Sequence, residues 1–270
     1  SSQEFQAAYD SAQLEKIFYL TNQQAEKLSG FHGNYLDLIN LQELTIRQAS
    51  NLAEFEGKGL DLSGLDSLSA DLADELAKSQ AYRLYLNGLM RISPSAASEL
   101  SDFEGYELFL NGLERLGNEQ ASALAGFDGK SLYLNGLKSI TDTEADALSR
   151  SAAIYLTLDG LAVINDRQAD LLSQFKGNGL SLNGLTQITD SQAKALSSFA
   201  GTELFLNGIK QINDLQAEML ADFEGEQLYL IGLESLNENQ AKSLATFEGE
   251  LFVDNLDENS RALLKKYGGS

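Results

Sequence analysis

From Leu36 to about Glu250 one 24-residue unit recurs nine times, holding its register until the last copy. The unit reads L-x-L-N-G-L-x-x-I-x-D-x-Q-A-x-x-L-x-x-F-x-G-x-x, and its clearest copies begin at Leu132, Leu180 and Leu204. A period in this range belongs to solenoids, propellers and arrays, where one supersecondary unit cannot bury its own apolar face and must stack on neighbours. The repeat therefore predicts one continuous domain, although 270 residues could hold two globular ones.

Positions 1 and 3 are leucine in every copy, from Leu36 and Leu38 to Leu228 and Leu230, a period-2 pair that predicts a short strand with one buried face. Asn-Gly follows at positions 4 and 5 in five copies, such as Asn111-Gly112. No alternating strand comes after it, so a hairpin is excluded. Glycine accepts backbone conformations closed to other residues, and the strand is predicted to turn there. A helix then begins with a capping signature. Thr21, Thr45, Thr141 and Thr189 each precede Gln or Glu by three residues, and Asn165, Asn213 and Asn237 do the same with Gln. Asp142, Asp166, Asp190 and Asp214 sit in the first turn, where the helix dipole favours negative charge. The single proline, Pro94, falls at a first helical position.

Each helix is predicted to run about ten residues, too short to persist alone, burying Ala, Leu and Phe at positions 14, 17 and 20. The glycines at position 22, such as Gly57, Gly105 and Gly129, read as helix stops. Strand, turn, helix and turn imply a right-handed α/β solenoid with a parallel sheet on one side. Strands lie about 4.8 Å apart and helices about 8–10 Å, so an arc with a concave sheet and convex helices is expected.

Two copies depart from the pattern, with Ser79 and Ala81, or Ser151 and Ala153, where Phe and Gly are usual. Either the bulky residue at position 23, Tyr82 or Ile154, enters the core instead, which is the favoured reading, or curvature changes locally. Residues 1–35 read as an N-terminal helical cap with a half repeat, 36–250 as the nine repeats, and 251–270 as a capping strand and helix.

The unit resembles a leucine-rich repeat. It is most similar to the cysteine-containing subtype, on the strength of L-x-L spacing and the I-T-D element of Ile140-Thr141-Asp142 and Ile188-Thr189-Asp190. It departs from the family at position 6, where leucine replaces the Asn or Cys that forms a buried polar ladder, and that layer is expected to be held by apolar packing. The resemblance implies an arc that binds other proteins, usually on its concave sheet. No F-box is present, so a ubiquitin-ligase role is not implied.

Composition narrows the function. Forty acidic against nineteen basic residues leave a net charge of −21, which repels phosphate backbones and anionic leaflets. That charge serves solubility or a basic partner, with solubility favoured. Absence of cysteine removes disulfides, thiolate sites and cysteine nucleophiles. No apolar run reaches the roughly 20 residues of a membrane span. The chain begins at Ser1, which suggests a processed or trimmed product. The absence of N-x-[ST] sequons fits a bacterial protein, and a secreted, periplasmic or cell-surface location is favoured over the cytoplasm.

His32 is the only histidine, no loop carries a spaced set of oxygen ligands around Asp37, Asp61 and Asp66, and the glycines form no phosphate loop. No catalytic group, metal or cofactor is assigned. The candidate site is the concave face, where positions 2, 4 and 24 point. It comprises Tyr85, Phe109, Tyr133, Tyr155, Phe205 and Tyr229, with Asn87, Asn111, Asn135, Asp159, Asn183 and Asn207 beside them. The aromatics suit binding as well as cross-strand stabilisation, and for the asparagines the structural role is favoured. The expected function is non-enzymatic recognition of a protein or peptide. A structural or adhesion spacer and a glycan-binding surface are the alternatives.

Overall fold

The computed structural model describes residues 2–268. The chain divides into two compact units, up to Gly136 and from Leu137 onward. The first holds α1 (Ser2–Asp10), a 3-10 turn (Leu14–Lys16), α2 (Asn22–Ser29), β1 (Tyr35–Asp37), α3 (Ile46–Ala53), β2 (Gly59–Asp61) and α4 (Ala70–Ala77). It continues through β3 (Arg83–Tyr85), α5 (Pro94–Ser101), β4 (Glu107–Phe109), α6 (Asn118–Leu124) and β5 (Ser131–Tyr133). The second holds α7 (Asp142–Leu148), β6 (Tyr155–Thr157), α8 (Asp166–Leu172), β7 (Gly179–Ser181), α9 (Asp190–Ser197) and β8 (Glu203–Phe205). It ends with α10 (Asp214–Ala221), β9 (Gln227–Tyr229), α11 (Glu238–Leu244), β10 (Glu250–Phe252) and α12 (Glu258–Lys266).

Within each unit consecutive strands pair in parallel, leucine on leucine, as in Leu84 on Leu108 on Leu132 and Leu180 on Leu204 on Leu228. Each unit is an α/β solenoid of stacked strand–helix turns. The leucines of positions 1 and 3 are wholly buried from Leu36 to Leu230, and so is the alanine of position 14 from Ala49 to Ala241. Phenylalanines of position 20 stack along the core. Phe103 and Phe127 lie 6.2 Å apart in the first unit, and Phe175, Phe199, Phe223 and Phe247 follow at 6.1–6.3 Å in the second.

The caps form as their residue types predict. Thr21, Thr45, Thr141, Asn165, Thr189, Asn213 and Asn237 all close reciprocal capping boxes, and Pro94 occupies the first helical position of α5. The helices are shorter than ten residues, most of them seven or eight.

Two expectations need correction, and one feature is new. First, the glycines serve close approach rather than an unusual backbone: among the described residues the only positive-φ glycine is Gly268. Gly105 lies four residues beyond the end of α5 and so does not stop it. A Cβ there would fall 2.7 Å from Phe103 Cε1 and 2.6 Å from the carbonyl oxygen of Ala81. At position 5, a Cβ on Gly88 would meet the Leu65 carbonyl oxygen at 2.6 Å. The neighbouring coil, not the turn, demands glycine.

Second, Tyr82 and Ile154 do not enter the core. They are exposed, while Ser79, Ala81, Ser151 and Ala153 are buried. Where the Phe ring is absent, the Ala methyl takes part of its space, and Ser79 and Ser151 accept hydrogen bonds from the amides of Ala81 and Ala153 at 3.3 Å.

The layer at position 6 is packed apolar as expected, with Leu89, Leu113 and Leu137 wholly buried, and polar ladders run at other positions instead. The capping-box glutamine at position 13 also reaches back one repeat. Gln168, Gln192, Gln216 and Gln240 each donate through Nε2 to the carbonyls of Ile140, Ile164, Ile188 and Ile212, at 2.7–2.9 Å. Gln48 does the same with Leu20 and Gln120 with Ile92. These glutamines other than Gln120 are buried, so each bond satisfies a carbonyl that water cannot reach.

Candidate functional site

In each strand the residues on either side of the buried leucine face away from the helices. In the first unit this in-register stacking lays Tyr85, Phe109 and Tyr133 side by side. Their ring centroids are 4.3 and 4.0 Å apart, with interplanar angles of 18° and 5°. All three rings are half-buried, and burial pushes the Tyr85 and Tyr133 hydroxyls above their ordinary pKa. Strand separation in a sheet, about 4.8 Å, is close to the centroid spacing of a stacked pair of rings, which is why the row closes without gaps.

Beside the rings a polar cluster crosses three strands. The Arg83 guanidinium donates to the Tyr35 hydroxyl at 2.7 Å and pairs with Glu107, which lies one strand further on. The Glu107 hydrogen bond raises the Arg83 pKa above its already high value. Tyr35 reaches across Gly59, where a Cβ would fall 2.8 Å from its ring. Tyr35 and Arg83 thus meet because β2, between them, has glycine at the position in register with Tyr35.

The asparagines continue this face as a ladder. The Asn87 Oδ1 accepts from the Asn111 amide, and the Asn111 Oδ1 from the Asn135 amide, both at 3.0 Å. In the second unit Asp159, Asn183 and Asn207 accept from the amides of Asn183, Asn207 and Ile231, at 2.9–3.1 Å. Each side-chain oxygen is committed to the next repeat. That commitment also fixes the amide's orientation, so the Nδ2 groups of Asn87 and Asn111 are turned away from the ladder.

The second unit repeats the arrangement 120 residues later. Phe205, Tyr229 and Phe252 stack at 4.3 and 4.2 Å, with angles of 15° and 6°. Tyr155 reaches across Gly179 and donates to Glu203 at 2.8 Å. Burial first, and then the Glu203 contact, push the Tyr155 hydroxyl up to about 12. The Tyr229 hydroxyl donates to Gln227 at 2.8 Å, and Gln227 donates to Glu250 at 3.2 Å.

The predicted site residues thus fall into two clusters. Tyr85, Phe109 and Tyr133 with Asn87, Asn111 and Asn135 belong to the first unit. Phe205 and Tyr229 with Tyr155, Asp159, Asn183 and Asn207 belong to the second. Tyr155 stands in register with Gly179 and Glu203, not in the row of the rings, and because Thr157 and Ser181 carry no ring that row begins at Phe205. Arg83, Glu107, Glu203 and Gln227 occupy position 24, which the repeat pattern places on this face without marking them as site residues, and Glu250 joins them through strand register. Their signal was the Tyr-Gly-charged succession at position 24, seen at 35, 59 and 83 and again at 155, 179 and 203.

A separate groove of about 910 Å³ in the first unit lies along the helix-to-strand loops and holds His32, Lys58, Glu104 and the stacked Tyr82–Tyr106 pair. Its mixed charges single out no ligand class. Among the described residues no group of three or more His, Asp or Glu side chains is placed to hold a metal ion. No described helix is long and apolar enough to cross a membrane.

No protein-family profile and no curated protein matches the sequence. Solved structures do. The Toll–Spätzle complex of Drosophila contains a chain that aligns over 88% of this one and 35% of its own length, at 15% identity and a TM-score of 0.55. An internalin of Listeria monocytogenes aligns over 96% of this chain and 83% of its own, at 16% identity and a TM-score of 0.44. A leucine-rich-repeat protein of Leptospira interrogans aligns over 95% and 93%, at 14% identity and a TM-score of 0.31. The chain thus spans about a third of the length of the first of these, which is the one close enough to show a shared fold. Repeat motif, leucine-on-leucine strand register and the alternation of one strand with one short helix identify the fold as that of the leucine-rich-repeat solenoids.

Proposed function

We propose that the chain is a non-enzymatic binding scaffold that takes an extended protein or peptide segment on the sheet face opposite its helices. The observation that carries this reading is the juxtaposition, in the first unit, of a continuous three-ring strip with amide donors held in fixed orientation. A half-exposed strip of stacked rings offers apolar area at little entropic cost, and donors beside it suit peptide carbonyls. Sheet stabilisation accounts for the rings and the ladder oxygens, and the Nδ2 donors beside them are the part a ligand would use.

Asn111→Asp separates ladder from ligand. Asp159 already performs the ladder role, accepting from Asn183 N at 2.9 Å, so the substitution keeps the acceptor and removes the donor. Peptides selected by display against the native protein should lose affinity by about tenfold on Asn111→Asp, the worth of roughly one hydrogen bond in a desolvated interface, with unchanged thermal stability. The triple variant Tyr85→Ser, Phe109→Ser, Tyr133→Ser should abolish binding while keeping its circular dichroism spectrum. Undiminished binding of every selected peptide, both by this folded variant and by one with Phe205, Tyr229 and Phe252 changed to serine, would sink the proposal. A glycan array on the same proteins distinguishes a sugar ligand.

A further inference from the structure

The two aromatic strips share a geometry and differ in charge. In the first unit the carboxylate beside the rings, Glu107, is neutralised by Arg83 and largely buried. At the position 120 residues after Arg83 stands Glu203. In-register pairing of β8, β9 and β10 then sets Glu203, Gln227 and Glu250 in one row, two residues before Phe205, Tyr229 and Phe252. Both rows share the face of the sheet that the buried leucines leave open. Among the described residues neither Glu203 nor Glu250 has an ion pair. Each is held by one neutral donor, Tyr155 for Glu203 and Gln227 for Glu250, which fixes the carboxylates and leaves acceptor sites unused. Both carboxylates raise the pKa of Tyr229, second to burial, so their field reaches the centre of the ring stack.

We propose that the Phe205–Tyr229–Phe252 strip binds an arginine-rich extended segment of a partner protein, with the aliphatic stems of its arginines lying along the ring edges and their guanidinium groups paired to Glu203 and Glu250. This rests on the reading of the sheet face as a binding surface and adds the chemistry of the occupant. Stacking at 4.2–4.3 Å covers the facing sides of these rings and leaves their edges to the ligand, against which an arginine buries its apolar stem while its guanidinium fork meets a carboxylate. The carboxylates flanking Gln227 are two strands apart, about 9–10 Å at ordinary sheet spacing. A polyproline II segment presents every third residue on one side at about 9 Å, so arginines at i and i+3 match the two carboxylates. An anionic partner or surface would face uncompensated repulsion at the same place.

The test is a fluorescence-anisotropy titration of the full chain with a labelled Arg-Pro-Pro-Arg-Pro-Pro-Arg peptide, alongside the same peptide with citrulline for arginine. The native protein should bind the arginine peptide at least about tenfold more tightly than the neutral one, with affinity falling steeply as salt rises. Glu203→Gln with Glu250→Gln should remove that preference and flatten the salt dependence. These amides keep an acceptor for Tyr155 and the size of the side chain, so the fold is retained. Phe205→Ser, Tyr229→Ser, Phe252→Ser should weaken binding by removing the apolar strip against which the arginine stems lie. The Tyr85, Phe109 and Tyr133 serine variant should bind this peptide as the native protein does. Equal binding of the arginine and citrulline peptides, or binding indifferent to the double glutamine change, overturns the inference. Loss confined to the first-unit variant overturns it too, while leaving the sheet-face reading in place. If display selection yields no peptide sensitive to either strip, the sheet-face reading itself fails.

Discussion

Phenylalanine at position 20 and glycine at position 22 act as one object. The ring of Phe103 occupies the space into which a Cβ on Gly105 would project, and the same holds for Phe127 with Gly129 and Phe199 with Gly201. Where the ring is missing, at Ser79 and Ser151, a buried alanine stands in place of glycine. The chain thus contains its own double substitution. Gly105→Ala alone should destabilise by about 1–3 kcal/mol through overpacking, and Phe103→Ser alone by roughly 3–5 kcal/mol through the cavity it leaves. Together they should cost less than the sum, with a coupling of about 1–2 kcal/mol measurable by urea titration of all four proteins. Strict additivity would show that the neighbouring Ala81 carbonyl, 2.6 Å from the added methyl, sets the cost instead of the ring.

At the scale of the element, the helices that Gln48, Gln168, Gln192, Gln216 and Gln240 cap are tied to the preceding repeat by that same residue. Gln192 accepts from the Thr189 amide at 2.9 Å through Oε1 and donates to the Ile164 carbonyl at 2.8 Å through Nε2, so one side chain closes a helix end and ties two repeats. Gln192→Glu keeps the first bond and loses the second, as Glu144 shows by closing its own box with Thr141. Gln192→Ala loses both. The alanine variant should be less stable by about 2–3 kcal/mol and the glutamate variant by about 1–2 kcal/mol, since a buried carbonyl is left unpaired in each. Equal losses would mean that the inter-repeat bond carries the whole effect.

Sequence reading reached the capping half of this arrangement because it is local: Thr-x-x-Gln signals itself within four residues. The other half is a contact with a residue 28 positions earlier, and nothing in the local pattern shows it. The glycines were misread for a related reason. Gly88 and Gly105 look like turn residues when only their own chain is considered, and it is the adjacent coil that excludes a side chain there. Leucines, strands, helix starts and the aromatic row were legible because each is fixed by its own periodicity. Arg83 and Glu107, or Tyr155 and Glu203, became neighbours only once strand register was known.

Across the whole molecule, charge sets the balance that no single contact reveals. Forty acidic residues face nineteen basic ones, and the ion pairs that form are mostly exposed, as with Arg150–Asp146, Arg167–Asp170 and Lys210–Glu234. Exposed pairs contribute about 0–1 kcal/mol each and are screened by salt, so they cannot offset the repulsion of a net charge of −21. Sodium chloride should therefore stabilise this protein. As ionic strength rises from about 0.01 to 0.15 M, the screening length falls from about 30 to 8 Å, shorter than most separations among the excess carboxylates. The thermal midpoint should climb by a few degrees, equivalent to about 1 kcal/mol for a chain of this size. Glu203→Gln with Glu250→Gln should raise the midpoint at low salt and lose that advantage at high salt, because two carboxylates without cationic partners are part of the repulsion. A midpoint that falls on adding sodium chloride would show that attraction within the ion pairs outweighs repulsion, and that the acidic surface is not a load on the fold.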